Sequence, residues 1–215
     1  MFKDRRDAAA KLAPKLMDLY NRDDLLVLGI SLGGMVTANE IAKQLNAPSD
    51  YLTVRKLRVP DHHTEPMGAI AIGGETAYNK GIIDHFKVPP EIVKQSEIEE
   101  INMLEVEEKH FRGEMPLVEV EGKAILLVDD GMGTGVTMRA SIDAMKHRGA
   151  VEIIVATPVS APQVCMMFQG IADRTICYAT PQPFVGVEKW YERFEKPTHD
   201  EVRALIQEGQ GLLSQ

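Results

Sequence analysis

The sequence predicts an α/β fold, a Rossmann-like parallel sheet flanked by helices, on three observations. The first is Leu25-Leu26-Val27-Leu28-Gly29-Ile30, a continuous apolar run of the kind a strand shows when both faces of its sheet are covered. It hands over through Ser31-Leu32-Gly33-Gly34 to a helical period. The second is Ala124-Ile125-Leu126-Leu127-Val128, which leads through Asp129-Asp130 and a glycine-rich turn into another helix. The third is the pair of β-branched runs at 153–156 and 175–178, which flank a short helical segment and continue the alternation.

In chain order, Ala8, Leu12, Leu16 and Leu19 fall at helical intervals and predict one amphipathic helix over residues 3–20, broken at 21–24. After the first strand, residues 35–45 return to a helical period and Tyr51-Leu52-Thr53-Val54 reads as a second strand, which completes a βαβ unit. Residues 58–83 carry prolines, paired histidines and Gly73-Gly74, with an apolar stretch at 67–72 suited to a hairpin arm, so they are expected to leave the sheet. Pro89-Pro90 opens a charged surface helix that places Ile98, Ile101 and Leu104 on one face, runs to Phe111 and stops before Gly113. Helices follow at 135–147 and 163–168, and Thr198 with Glu201 forms a capping box ahead of a last helix that Gly209 closes. No repeat or linker interrupts the pattern, so residues 1–215 read as one domain.

The chain carries 24 Lys and Arg against 32 Asp and Glu, a net charge of -8. That balance repels phosphodiester backbones and anionic bilayers, which argues against nucleic acid and membrane as partners and leaves a small anionic ligand open. No apolar run of about 18 residues and no signal-peptide core is visible. Cys165 and Cys177 form no C-x-x-C pair and read as small buried apolar groups of a reduced, cytoplasmic protein, neither disulfide nor metal ligands.

Chemistry concentrates after the central strand, because ligands of open parallel sheets bind beyond the carboxyl ends of the strands. Gly131, Gly133 and Gly135 let the backbone turn tightly, so that successive amides converge on one anion, and Thr134 and Thr137 add hydroxyl donors. The helix that begins there favours a phosphate at its positive end. Asp129 and Asp130 need hydroxyl donors or a cation, and ribose hydroxyls with Mg²⁺ satisfy both, since Mg²⁺ takes one or two carboxylates and completes its shell with substrate oxygens and water. A dinucleotide-binding G-x-G-x-x-G would need glycine where Val136 stands, and no Gly-Lys-Ser/Thr phosphate loop is present. The plain alternative is a solvated strand-to-helix turn.

The run from Ile125 to Thr137 resembles the phosphoribosyl pyrophosphate signature of type I phosphoribosyltransferases. Residues 2–8, 54–57, 67–71 and 179–184, with Trp190-Tyr191, resemble stand-alone phosphoribosyltransferase-domain proteins, so the likeness covers most of the chain. It implies a type I phosphoribosyltransferase fold, a sheet of about five strands with a small hood and a flexible loop. The chain ends and residues 58–83 would build the hood, and a homodimer would be unsurprising. It implies an Mg²⁺-dependent enzyme of nucleotide metabolism that takes phosphoribosyl pyrophosphate and a small nitrogenous acceptor. Asp129 and Asp130 would be the catalytic and metal-binding residues, and Gly131, Met132, Gly133, Thr134, Gly135, Val136 and Thr137 would hold the phosphate and ribose. Ser31, Leu32, Gly33 and Gly34 would bind pyrophosphate, helped by Arg55 and Lys56. In resembling chains that turn usually reads Arg-Gly-Gly, and here Leu32 takes the arginine's place.

Three readings stay open around this site. His62, His63 and Glu65 are either metal ligands or part of a mobile loop that closes over substrate. Phe184, Trp190 and Tyr191 either stack on an acceptor base or pack the hood. The activity itself is transfer to a base, hydrolysis, or non-catalytic sensing of phosphoribosyl pyrophosphate or a nucleotide, and Leu32 leans toward sensing.

Overall fold

The computed structural model describes residues 1–73 and 75–211, apart from the side chains of 63–65. Five strands form a parallel sheet in the order β2-β1-β6-β7-β8: β1 (Leu25–Gly29), β2 (Ser49–Tyr51), β6 (Ala124–Val128), β7 (Glu152–Val159) and β8 (Arg174–Ala179). Alternation within the apolar runs divides the core. Leu26, Leu28, Ile125 and Leu127 face α5 (Val136–His147) and α6 (Pro162–Phe168) on one side of the sheet. Leu25, Val27, Leu126 and Val128 face α1 (Arg5–Leu12) and α2 (Leu32–Leu45) on the other. The chain leaves β1 toward β2, then crosses back to β6 on the opposite flank, so the strand order reverses between β1 and β6 and opens a crevice there.

A second sheet, antiparallel, runs β3 (Val54–Val59), β4 (His62–Ala71) and β5 (Thr76–Tyr78). It starts at Val54, ahead of the expected excursion, and β4 pairs with β3 at His62, at Pro66 and over 68–71. The run Tyr51-Leu52-Thr53-Val54 is therefore divided between the two sheets. Leu52 N donates to Gly29 O at the end of the first, and Thr53 O accepts from Ile72 N at the start of the second. Helices α3 (Lys80–His85) and α4 (Pro90–Arg112) cover the second sheet, and α3 carries too short a period to be foreseen. The end of α4 is tied to β2 by a buried ionic group: Arg112 donates to Asp50 at 2.9 Å and to Tyr51 O at 2.6 Å, and Glu108 accepts from Arg112 and Thr53.

Two expectations are corrected by packing. The helix over 3–20 breaks into α1 and a 3-10 turn at Ala13–Leu19, because Pro14 has no N–H and its ring excludes the carbonyl one turn earlier. Leu12, Leu16 and Leu19 are buried all the same. Cys165 and Cys177 are joined as a disulfide, since α6 lies against β8 and brings their Cα atoms to 6.4 Å. A separation of 12 residues gives no sign of that proximity. Among the described residues, no helix is long and apolar enough to cross a membrane.

The last helix, α7 (His199–Gln210), opens on the expected capping box, with Thr198 Oγ1 accepting from Glu201 N and Glu201 Oε2 accepting from Thr198 N at 2.7 Å. Gly209 lies inside this helix, against Ser49, and does not end it. Thr198→Ala is expected to lower stability by about 1 kcal/mol in chemical denaturation, the usual cost of losing a side-chain cap.

Candidate active site

Gly29 pairs with Val128, so the two central strands end side by side and bring Ser31 next to Asp129. Ser31 is the N-cap of α2: its Oγ accepts from Gly34 N at 2.8 Å and donates to Asp129 Oδ1 at 2.6 Å. Leu32, Gly33 and Gly34 are thus the first turn of a helix, and the amides of that turn have no carbonyl of their own helix to meet. Asp130 is 9% exposed and turns its carboxylate toward α1, where Oδ2 accepts from Arg5 Nε at 2.7 Å. Its backbone carbonyl accepts from the Tyr191 hydroxyl at 2.6 Å. Burial pushes the Tyr191 phenol up, so it remains a donor across the neutral range.

The carboxylates stand in a costly environment. Burial, and then the charge of Asp130, push Asp129 up to about 7, against the opposing pull of Ser31 and Lys56. Burial also raises Asp130, and Arg5 works against that rise.

The pair lies in a cleft of about 640 Å³ that holds most of the expected residues. Ser31, Leu32 and Gly33 line one wall; Asp129, Asp130, Gly131, Met132, Gly133, Thr134, Gly135 and Thr137 line another; Arg55 and Lys56 come from β3. Gly34 and Val136 do not line it: the Gly34 amide caps onto Ser31, and Val136 is buried in the core. Met132 is held by the sheet, its amide donating to Val159 O and its carbonyl accepting from Ala161 N, which takes that amide away from any phosphate. The amides of the first turn, up to Met138, open α5 and have no intrahelical acceptor. Gly135 has φ +74, and a Cβ there would lie 2.8 Å from both Phe168 and Val164, so the turn admits no larger residue.

Two expectations shift. The Arg55 guanidinium donates to Glu100 at 2.5 Å and to Glu107 at 2.6 Å, both on α4, so its planar fork is already engaged. Of the aromatic residues after the last strand, Tyr191 is buried under Asp130, while Phe184 and Trp190 pack with Phe2 and Val159. Phe194, further along the same segment, lines the cleft together with Tyr51, and Arg5 Cζ lies 4.0 Å above the Phe194 centroid. Sequence reasoning misses Arg5 and Phe194 because no periodicity marks them. Arg5 lies inside the N-terminal piece that carries the resemblance, which is its one signal.

Among the described residues, no group of three or more His, Cys, Asp or Glu could cage a metal. His62 rests against the Phe86 ring at 4.5 Å, and the side chains of His63 and Glu65, part of the metal reading, lie outside the described residues.

Comparison with known proteins identifies the family. Residues 2–176 match the family model described as phosphoribosyl transferase domain. Proteins from two strains of Mycobacterium tuberculosis, each named "putative phosphoribosyl transferase", are 32% identical over 206 residues, 96% of this chain. The chain spans 46% of the length of those relatives. The crystal structure of TT1426 from Thermus thermophilus superposes with a TM-score of 0.80 at 29% identity, covering 97% of this chain and 98% of that one. A purine phosphoribosyltransferase from Pyrococcus horikoshii shares the fold, with a TM-score of 0.50 at 15% identity over 92% of this chain and 96% of its own. The chain belongs to the phosphoribosyl transferase domain family.

Proposed function

We propose that the protein transfers ribose 5-phosphate from phosphoribosyl pyrophosphate to a nitrogenous base, releasing pyrophosphate, as a cytoplasmic enzyme of nucleotide metabolism. The observation that carries this reading is the buried Asp129–Asp130 pair, set between the glycine turn that opens α5 and the first turn of α2. Amides from Gly133 to Thr137, with the Thr134 and Thr137 hydroxyls, would anchor the 5-phosphate. Asp129 and Asp130 would accept from the ribose hydroxyls and place negative potential beside the sugar as C1 gains positive charge. The first turn of α2 would face the departing pyrophosphate. The C1–O bond breaks with its electron pair leaving on pyrophosphate, the base nitrogen supplies the pair for the new C1–N bond, and the ring loses a proton. Binding of the remote phosphate serves to hold C1 where this exchange occurs.

An adjacent carboxylate pair whose ionisation is held back by burial and mutual repulsion suits Mg²⁺, which needs few protein oxygens. What Mg²⁺ supplies when held by Asp129 and Asp130 is neutralisation of pyrophosphate oxygens. The other reading, a non-catalytic sensor, draws on Leu32 at the arginine position and on the engagement of Arg55 with α4.

Pyrophosphate release from phosphoribosyl pyrophosphate and Mg²⁺, followed across a panel of nucleobases, separates the readings. Release with one base supports the transferase, release without any base a hydrolase, and tight binding without release the sensor.

Ligand binding is expected to depend on pH with a definite sign. An acid raised in the folded state keeps its proton to higher pH, so a ligand that needs the ionised pair must displace it. Affinity for phosphoribosyl pyrophosphate with Mg²⁺ should rise with pH until about 7 and level off above. Stability of the free protein should run the other way, falling between 3.8 and about 7, where the folded chain holds more protons than the unfolded one. Calorimetry in buffers of different ionisation enthalpy counts the proton released on binding below that value.

A further inference from the structure

We propose that Arg5 supplies the charge with which this chain grips pyrophosphate at the first turn of α2, where Leu32 brings none. The inference rests on the transferase reading and names a residue outside the signature. Its ground is the position of the guanidinium on the first turn of α2. A Cβ built on Gly33 would lie 2.0 Å from Asp130 Oδ2, 2.5 Å from Arg5 Nε and 2.9 Å from Arg5 Nη2. The charge therefore rests directly on the first turn of α2, and Arg5 and Gly33 both line the cleft.

The side chain is 10% exposed and held on three sides. Nε donates to Asp130, Nη1 donates to Glu195 O at 2.7 Å, and the Phe194 ring lies beneath the guanidinium. Neither hydrogen bond uses Nη2, the nitrogen nearest Gly33 after Nε. The backbone on either side is interlocked: Phe2 N donates to Trp190 O, Glu192 N to Phe2 O, and Arg193 N to Lys3 O at 3.0 Å. An arginine fixed in this way loses little conformational freedom on meeting an anion, and its planar fork suits phosphate oxygens. Of the other cations that line the cleft, Arg55 faces two carboxylates, Glu100 and Glu107, whereas Arg5 faces one. Two carboxylates beside a pyrophosphate need an opposing charge, and Arg5 is the buried one placed to give it.

The test is calorimetric titration of Mg²⁺-pyrophosphate, and separately of ribose 5-phosphate, into the wild type, Arg5→Gln, Arg5→Lys and the double variant Arg5→Gln/Leu32→Arg. Glutamine keeps a donor for Asp130 and removes the charge. Pyrophosphate affinity should fall about tenfold or more in Arg5→Gln, the scale of one lost charge-assisted contact, while ribose 5-phosphate affinity changes by less than about threefold. The added arginine at Leu32 should restore most of the pyrophosphate loss. Should Arg5→Gln fail to fold, Arg5→Lys carries the comparison and should weaken pyrophosphate by about threefold or more in protein that is shown to be folded. Undiminished pyrophosphate binding in a folded variant overturns the inference. So does an equal loss for both ligands, which would mark Arg5 as a support for Asp130 alone. If the wild type binds neither ligand, the transferase reading itself fails and this inference falls with it.

Discussion

Asp130→Asn is expected to lower acceptor-dependent pyrophosphate release by about 10²- to 10³-fold, the range seen when one preorganised electrostatic group is removed from a reacting centre. Asparagine preserves the size of the side chain and a hydrogen bond to the sugar, but it takes away the negative charge placed beside C1. It also leaves the buried Arg5 guanidinium facing a neutral amide at the place where Nε and Oδ2 now meet at 2.7 Å. The 5-phosphate grip of the α5 turn is untouched, so kcat should fall more than the affinity for ribose 5-phosphate. Steady-state kinetics against calorimetric binding separates the two, and a variant with wild-type turnover would show that Asp130 is not part of the reacting centre.

Gly33→Ala should weaken pyrophosphate binding by about tenfold to a hundredfold, the expected size of losing one or two charge-assisted contacts. Alanine favours a helix over glycine by about 1 kcal/mol, so an exposed first turn would be stabilised by it. Here the added methyl collides with the Asp130 carboxylate and the Arg5 guanidinium, and overpacking of that kind costs about 1–3 kcal/mol. The steric term wins, and net stability falls only modestly because the helix gain offsets part of it. Function should therefore change far more than the melting temperature. A variant that is as stable as wild type and binds pyrophosphate equally well would mean that the Arg5–Asp130 pair lies elsewhere in solution.

The parts legible in the sequence are those that local pattern determines. β1 and β6 are unbroken apolar runs because both faces of the parallel sheet are covered, and that condition writes itself into consecutive residues. The turn from Asp129 to Thr137 is legible because tight backbone and hydroxyl donors require particular residue types at close spacing. Arg5 is not, because its place in the cleft depends on pairing the first residues with 190–193, a contact between the two ends of the chain. The division of Tyr51-Leu52-Thr53-Val54 between two sheets escapes the same kind of reading, since a β-branched run says strand without saying whose neighbour it is. Met132 shows the converse: inside the signature its side chain and amide serve the core and the sheet, a distinction that spacing alone does not carry. The Cys165–Cys177 bond likewise comes from packing, and with it the cysteines cease to support a reducing compartment.

The most direct test of the site is a crystal structure of the protein with phosphoribosyl pyrophosphate and Mg²⁺. The 5-phosphate should lie on the backbone between Gly133 and Thr137, with the ribose hydroxyls at Asp129 and Asp130 and the pyrophosphate at the first turn of α2. A sugar phosphate bound away from the Asp129–Asp130 pair, for instance in the adjoining cleft beside Arg6 and Arg193, would contradict the placement of the active site.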